Sequence, residues 1–306
     1  MFLLLCKEGP YICKLNAQNE LIEFNEYDKY KHLGLVYPYM CIFSENLNKT
    51  TPALLMLSYD SKKRLQYRYN AAHLVQAQKD KVKYVKLMIV NLESAVDQIS
   101  KDISNDKNEL MQLLGLMAYI TMKTGIRIGK DIHLKKYDSI GLSTLMKKNV
   151  KCEKDKCTFN FIGKKGVKYT YELTDELCCK ILKRRVSQCK NLDDFIFKTE
   201  SQKLTYSDFN EYVKKIFKND FVSGKDFRTL LANVSFLEYF RQLEKSTPDI
   251  KKNIKLSIKH VASVLQNTNA VSKKSYIFSS IIEYISSHYN EVISSKNILQ
   301  LLKNIF

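Results

Sequence analysis

No run of about 18 apolar residues occurs in the chain, and the apolar opening Met1–Cys6 is too short for a span or a signal peptide. A membrane protein is therefore not expected, and the reading is of a soluble, intracellular one. Zinc-ligand spacing is also missing: the eight cysteines (Cys6, Cys13, Cys41, Cys152, Cys157, Cys178, Cys179 and Cys189) form no CxxC pair and have no paired histidines beside them. Reduced structural thiols are the expectation, with no metal site. There is no GxxxxGK[ST] loop and no carboxylate cluster, so no nucleotide or other cofactor is indicated. Acidic residues are the scarcer charge, 32 Asp and Glu against 50 Lys and Arg, for a net +18. A basic surplus spread along the chain favours a polyanionic partner, because neutralising phosphates releases condensed counterions. The codon usage of an AT-rich genome also enriches Lys, so charge alone points to nucleic acid without establishing it.

What is present suits a folded protein of two domains, with 306 residues, 45% of them apolar and 11% aromatic. The first 75 or so residues read as short strands, Phe2–Cys6, Tyr11–Leu15, Leu35–Phe43, Ala53–Ser58 and Leu65–Tyr69, separated by Gly-Pro, Asn and Asp-Ser turns. Beyond the charged stretch Gln78–Lys83 the period becomes helical, as in Leu110, Leu113, Leu114, Met117 and Ile120. Asp106 with Glu109 suggests a helix start and Gly125 a stop. Cys157–Leu173 alternates on both sides of a Gly-containing turn and predicts a β-hairpin with Lys164 and Lys165 at its tip. From Thr174 onward the chain reads as helical, and no repeat or low-complexity tract is visible. The expected class is α+β: a small antiparallel β domain over 1–76, then a mostly helical domain over 77–306 that carries one hairpin.

Five segments of the second domain could carry chemistry. Thr124-Gly125-Ile126-Arg127-Ile128-Gly129-Lys130 sets an arginine in a Gly-flanked turn, where its planar fork could meet phosphate oxygens. Phe161-Ile162-Gly163-Lys164-Lys165-Gly166-Val167 offers a cationic tip able to enter a groove and supply a proton. In Lys225-Asp226-Phe227-Arg228-Thr229 a lysine and an arginine lie one helical turn apart and can face one phosphate. Gln266-Asn267-Thr268 and Val271-Ser272-Lys273-Lys274-Ser275-Tyr276-Ile277 complete the set, the second placing a tyrosine after a basic stretch and ahead of the amphipathic run Ile277–Ile293. Singly, each has a plainer reading as a surface arginine, a solvated turn or one packing tyrosine among 19. Their order carries the information.

Arginine, hairpin lysine, Lys-x-x-Arg, and a hydrogen-bonding residue nine before a tyrosine resemble, in that order, the active site of type IB DNA topoisomerases, most of all the compact poxvirus type. GIRIGK, FIGKKGV, KDFRT and SKKSY carry the resemblance, and Gln66, Tyr67 and Tyr69 match the Gln-Tyr-x-Tyr motif of that family's DNA-clasping β domain. It implies a catalytic domain of the tyrosine recombinase and topoisomerase IB fold, acting as a monomeric clamp on double-stranded DNA. It also implies that Tyr276 attacks a phosphodiester to give a 3′-phosphotyrosyl link. Arg127 and Arg228 would then hold the non-bridging oxygens, and Lys164, helped by Lys225, would protonate the departing 5′ oxygen. Lys165 is the alternative if the hairpin register differs by one. Lys130 and His133 would touch DNA. A poxvirus-like enzyme would work in the virion and host cytoplasm.

Two positions depart from the pattern. Asn267 stands where the family usually has histidine, and His133 where the poxvirus type has a DNA-contacting tyrosine. Asn267 can still donate a hydrogen bond, so an active enzyme with roughly a tenfold penalty is expected, since neutral and charged bonds differ by about 1 kcal/mol. His260 lies on the preceding helical stretch and reads as structural. A tyrosine recombinase is the rival, but recombinases carry histidine three residues before the second arginine, where this chain has Lys225. A non-catalytic DNA-binding descendant would have no chemical use for Tyr276.

Overall fold

The computed structural model describes residues 71–306 and, ahead of them, the strands Leu3–Leu5 (β1), Ile12–Leu15 (β2), Leu21–Glu23 (β3), Met40–Ile42 (β4), Leu54–Tyr59 (β5) and Leu65–Tyr69 (β6). The chain divides into two compact units, Met1–Asp80 and Lys81–Phe306.

The described strands of the first unit form one antiparallel sheet in the order β3-β2-β1-β4-β5-β6. β3 has no counterpart among the strands expected from sequence, because three residues are too few to show an alternating pattern. Of the expected strand Leu35–Phe43 only Met40–Ile42 falls within the described residues. The last strand β6 lies at the sheet's edge and exposes Gln66, Tyr67 and Tyr69, the two tyrosines at 53% and 40%. Exposed aromatic rings beside a hydrogen-bonding side chain on an edge strand suit contact with a polar, stacked surface.

Helix α1 spans Ala71–Ser104, so the charged stretch Gln78–Lys83 is no break between patterns but lies inside this helix. Lys and Asp at exposed positions do not interrupt a helix when Val85, Met88, Ile89, Ala95 and Ile99 keep one face buried. α2 follows as Glu109–Thr124, capped by Asn108, whose side chain accepts from Met111 N at 3.1 Å. The expected cap Asp106 is corrected to this residue, two positions later, where the amide oxygen reaches the first free N–H groups. Gly125 ends α2 as expected, at φ 66°, with its N–H on the Thr121 carbonyl.

α3 (Asp131–Tyr137) leads to a three-stranded antiparallel sheet of β7 (Val150–Cys152), β8 (Lys156–Ile162) and β9 (Lys168–Thr174). The hairpin is the expected one, with Lys164–Gly166 as a 3-10 turn at its tip. β7 was not anticipated, and it alters the thiol reading. Its pairing sets Cys152 opposite Cys157 with Cα atoms 4.1 Å apart, and the two form a disulfide. Directly opposed strand positions bring side chains within bonding reach whatever their spacing in sequence. Cys178, Cys179 and Cys189 are free and buried, as expected.

Helices α4 (Glu176–Gln188), α5 (Tyr206–Phe217), α6 (Gly224–Ser246), α7 (Ile250–Val264), α8 (Asn269–Ser275), α9 (Ser279–Ser287), α10 (Tyr289–Ser294) and α11 (Ile298–Ile305) complete the unit. The amphipathic run Ile277–Ile293 is thus two helices, broken at His288. α6 passes through the core: Phe227, Phe236 and Phe240 are fully buried, and Phe227 meets the edge of Phe217 at 5.6 Å. Each such ring contributes about 1.5–3 kcal/mol by burial, so α6 is held firmly enough to serve as a mount for side chains. The architecture is the expected α+β one. Among the described residues, no helix is long and apolar enough to cross a membrane, and no cluster of His, Cys, Asp or Glu is arranged to hold a metal ion.

Candidate active site

Arg127 owes its place to a short extended segment after α2. Ile126 and Ile128 are buried on either side of it, so alternation turns the arginine the opposite way, where it is half-buried. The segment is pinned by the turn at Gly141: Leu142 N donates to Arg127 O at 2.8 Å and Ser143 Oγ to Ile128 O at 2.9 Å. A Cβ on Gly141 would come within 2.5 Å of Gly129 N and 2.6 Å of Arg127 O. Both are backbone atoms of the pinned segment. Gly141→Ala should therefore cost about 3 kcal/mol, lowering the melting temperature by roughly 6–12 °C. Thermal denaturation of the variant checks this, and an unchanged melting temperature would mean that the segment yields.

Arg228 sits one turn into α6 and is 2% exposed. Its Nη1 donates to the Gly125 carbonyl and its Nη2 to Leu265 O at 3.0 Å, tying α6 to the end of α2 and to the turn after α7. Its Nε is buried without a protein partner among the described residues. The guanidinium carbon lies 5.3 Å from the centre of the Tyr276 ring.

Tyr276 caps the C-terminus of α8 and is half-buried. Asn233 of α6 holds the backbone at and just beyond it: its Nδ2 donates to Tyr276 O at 2.9 Å and its Oδ1 accepts from Phe278 N at 3.0 Å. Lys81 of α1 donates to the neighbouring Ser275 carbonyl at 2.9 Å, and burial lowers its pKa. Burial opposes ionisation of the Tyr276 phenol, but the charges of Arg228 and Arg127, together with hydrogen bonds from both, outweigh it and bring the pKa below that of an ordinary tyrosine. A phenol so placed gives up its proton more readily than an ordinary tyrosine, as a nucleophile would need.

Asn267 lies in the turn between α7 and α8. Its Oδ1 accepts from Arg127 Nη2 at 3.4 Å, whereas its Nδ2 is buried with no protein partner among the described residues. A donor in that condition, next to the Arg127 guanidinium, can meet an anionic oxygen. Arg127 Nη1 also donates to Tyr169 Oη at 3.2 Å; burial raises the pKa of the Tyr171 phenol, against the charge of Arg228. These tyrosines are alternate residues on β9, buried at 5% and 6%, with nearly parallel rings 5.9 Å apart.

The structure thus brings Arg127, Arg228, Asn267 and Tyr276 together. Lys164 stands exposed at the hairpin tip and Lys225 exposed in the first turn of α6; the side chain of Lys165 lies outside the described residues. Lys130 precedes α3, its ammonium 4.4 Å from the centre of the Tyr206 ring, and His133 is exposed on α3. His260 stacks on Tyr239 of α6 at 4.1 Å, a packing role as expected. Sequence reading missed Lys81, Asn233, Tyr169 and Tyr171. The alternation of β9 did mark both tyrosines as facing one side, but not what that side faces.

A family model described as the eukaryotic DNA topoisomerase I catalytic core matches residues 72–301. The DNA topoisomerase 1B of Acanthamoeba polyphaga mimivirus is 30% identical over 266 residues, 80% of this chain and 78% of that protein. The DNA topoisomerase 1 of Rabbit fibroma virus (strain Kasza) is 29% identical over 271 residues, 86% of this chain and 81% of that one. The DNA topoisomerase 1B of Vaccinia virus (strain Copenhagen) is 25% identical and covers 95% of this chain and 92% of its own. Among solved structures, the XerH site-specific recombinase in its post-cleavage complex with palindromic difH substrate aligns with TM-score 0.42 and 17% identity, over 66% of this chain and 52% of that one.

Proposed function

From the premise that the chain belongs to the type IB DNA topoisomerases, isomerases of DNA topology, and is of the poxvirus type, we propose how it works: it relaxes supercoiled duplex DNA through a transient 3′-phosphotyrosyl bond at Tyr276. The observation that carries this reading is the Arg228 guanidinium over the Tyr276 ring, with Arg127 and the unpartnered amide of Asn267 beside it.

A phosphodiester repels nucleophiles because its non-bridging oxygens are charged, and that charge grows in the pentacoordinate transition state. Arg127, Arg228 and Asn267 supply positive, preorganised donors for those oxygens. The Tyr276 oxygen, its phenolic proton released to solvent, bonds to phosphorus, the bond to the 5′ oxygen breaks, and Lys164, assisted by Lys225, gives that oxygen its proton. The phosphotyrosyl bond conserves the energy of the broken link, so the 5′ hydroxyl can reseal the strand after it swivels. No nucleotide is called for, and the arginines provide the charge a metal would otherwise bring. In this reading Gln66, Tyr67, Tyr69, Lys130 and His133 contact the duplex, and the protein acts as a monomer clamped around it, on viral DNA in the virion and host cytoplasm.

The test is relaxation of supercoiled plasmid by the purified protein in EDTA without ATP. Relaxation is expected, with a denaturant-stable adduct on the 3′ side of the nick; a requirement for a divalent metal ion or for ATP, or a 5′ adduct, would overturn the mechanism. Asn267→Ala should slow single-turnover cleavage about tenfold, the worth of one neutral hydrogen bond. Equal rates for variant and parent would remove Asn267 from the site.

A further inference from the structure

Gln266 is a non-glycine residue at φ 50°, in the left-handed region that L side chains rarely adopt. Its side chain does what a further strand would do. β9 is an edge of its sheet, and at Thr170 the backbone groups point away from β8; Thr170 N donates to Gln266 Oε1 at 3.2 Å, and Gln266 Nε2 donates to the Thr170 carbonyl. The clip lies at the centre of the site. Thr170 follows Tyr169, which accepts from Arg127, and Gln266 adjoins Asn267, which also accepts from Arg127. Arg127, Tyr169, Thr170, Gln266 and Asn267 thus form a closed ring of contacts. The ring reaches the hairpin tip, because a Cβ on Gly163 would lie 2.8 Å from two atoms of the Tyr169 ring, and Gly163 immediately precedes Lys164.

We propose that Gln266 is a positioning residue that locks the hairpin carrying the proton donor Lys164 to the turn carrying Asn267, so that phosphate recognition and protonation of the leaving oxygen are assembled as one unit. The proposal rests on the phosphotyrosyl mechanism above. Without the clip, β9 can roll against the turn, and the hairpin tip then samples orientations in which Lys164 misses the 5′ oxygen.

The test separates proton delivery from the rest of catalysis. The cleavage site is mapped on plasmid from the trapped adduct, then built into duplexes with either a 5′ oxygen or a 5′ sulfur at the scissile link. When the bond from phosphorus to sulfur breaks, sulfur departs as a thiolate and needs no proton, a thiol being a far stronger acid than an alcohol. Gln266→Gly removes the clip while suiting the positive φ, so the backbone itself is not strained. It should slow single-turnover cleavage of the oxygen duplex about tenfold and leave the sulfur duplex within about twofold of the parent protein, with melting temperature and duplex affinity unchanged. Lys164→Ala should show the same selective rescue, only larger. Equal slowing on both duplexes, no slowing on either, or failure of sulfur to rescue Lys164→Ala would overturn the role given to Gln266. If the parent protein forms no adduct with either duplex, the phosphotyrosyl reading itself fails and the proposal falls with it.

Discussion

Tyr276→Phe should abolish plasmid relaxation and the covalent adduct, a loss of about 10⁴-fold or more, while duplex affinity changes no more than about threefold. The ring is retained, so its packing and the guanidinium 5.3 Å away keep their partner; only the nucleophilic oxygen goes. Tyr169 and Tyr171 carry the other phenols that engage the same arginines, but both are anchored in β9 and almost fully buried, so neither can take over. Peptide mapping of the parent adduct checks this, and an adduct on another tyrosine would reassign the nucleophile. The acidity of Tyr276 adds a pH signature. Its pKa is lowered, against burial, by Arg228 and Arg127, so cleavage should rise with pH while the phenol is protonated and level off below the ordinary tyrosine value of about 10. Arg127→Ala removes one of the lowering charges, so the bend in the profile should move to higher pH. A bend that stays in place would mean that Arg127 does not act on the phenol.

Arg228→Ala should slow cleavage by about 10³-fold and also destabilise the protein, because the side chain serves two ends. Its fork is 2% exposed and meets the carbonyls of Gly125 and Leu265, so truncation leaves two buried acceptors unmet at about 1–3 kcal/mol each. Arg228→Lys separates the two effects. Lysine keeps the charge, but one ammonium cannot replace a planar fork that holds two carbonyls and still faces a phosphate. The lysine variant should recover duplex affinity yet remain about a hundredfold slower than the parent in single-turnover cleavage. Recovery of full rate by lysine would show that charge alone, without the fork, is what Arg228 supplies.

Much of the fold was legible because it rests on local rules. The hairpin showed itself through alternation across a glycine turn, and the end of α2 through Gly125 at φ 66°. The errors were local as well. Asp106 resembled a cap because Glu109 follows it by three residues, whereas Asn108 is the cap, and Gln78–Lys83 hid the earlier start of α1 at Ala71 because a charged helical face and a linker share a composition. The Cys152–Cys157 disulfide escaped because its warrant is strand register, which has no fixed sequence spacing.

The site divides in the same way. Arg127, Lys164, Lys225, Arg228, Asn267 and Tyr276 could be nominated from the chain alone, not singly but by the order in which they resemble the active site of type IB topoisomerases. Asn233, Lys81, Tyr169, Tyr171 and the Gln266 clip could not, because an asparagine buried in a helix or a tyrosine on a strand acquires a role only from the atom it meets. Those atoms lie far off along the chain, the partners of the clip being 96 positions apart. The sequence by itself determined the order of elements and the sign of the charge, because periodicity, turn chemistry and side-chain charge act within a few residues, and through its resemblance to a family it nominated the reacting groups. Tertiary structure alone decided which donors converge on Tyr276 and what holds them there. Hydrogen bonds and charge interactions fall away within ångströms, and only the packing of α6, β9 and the turn after α7 sets distances that small.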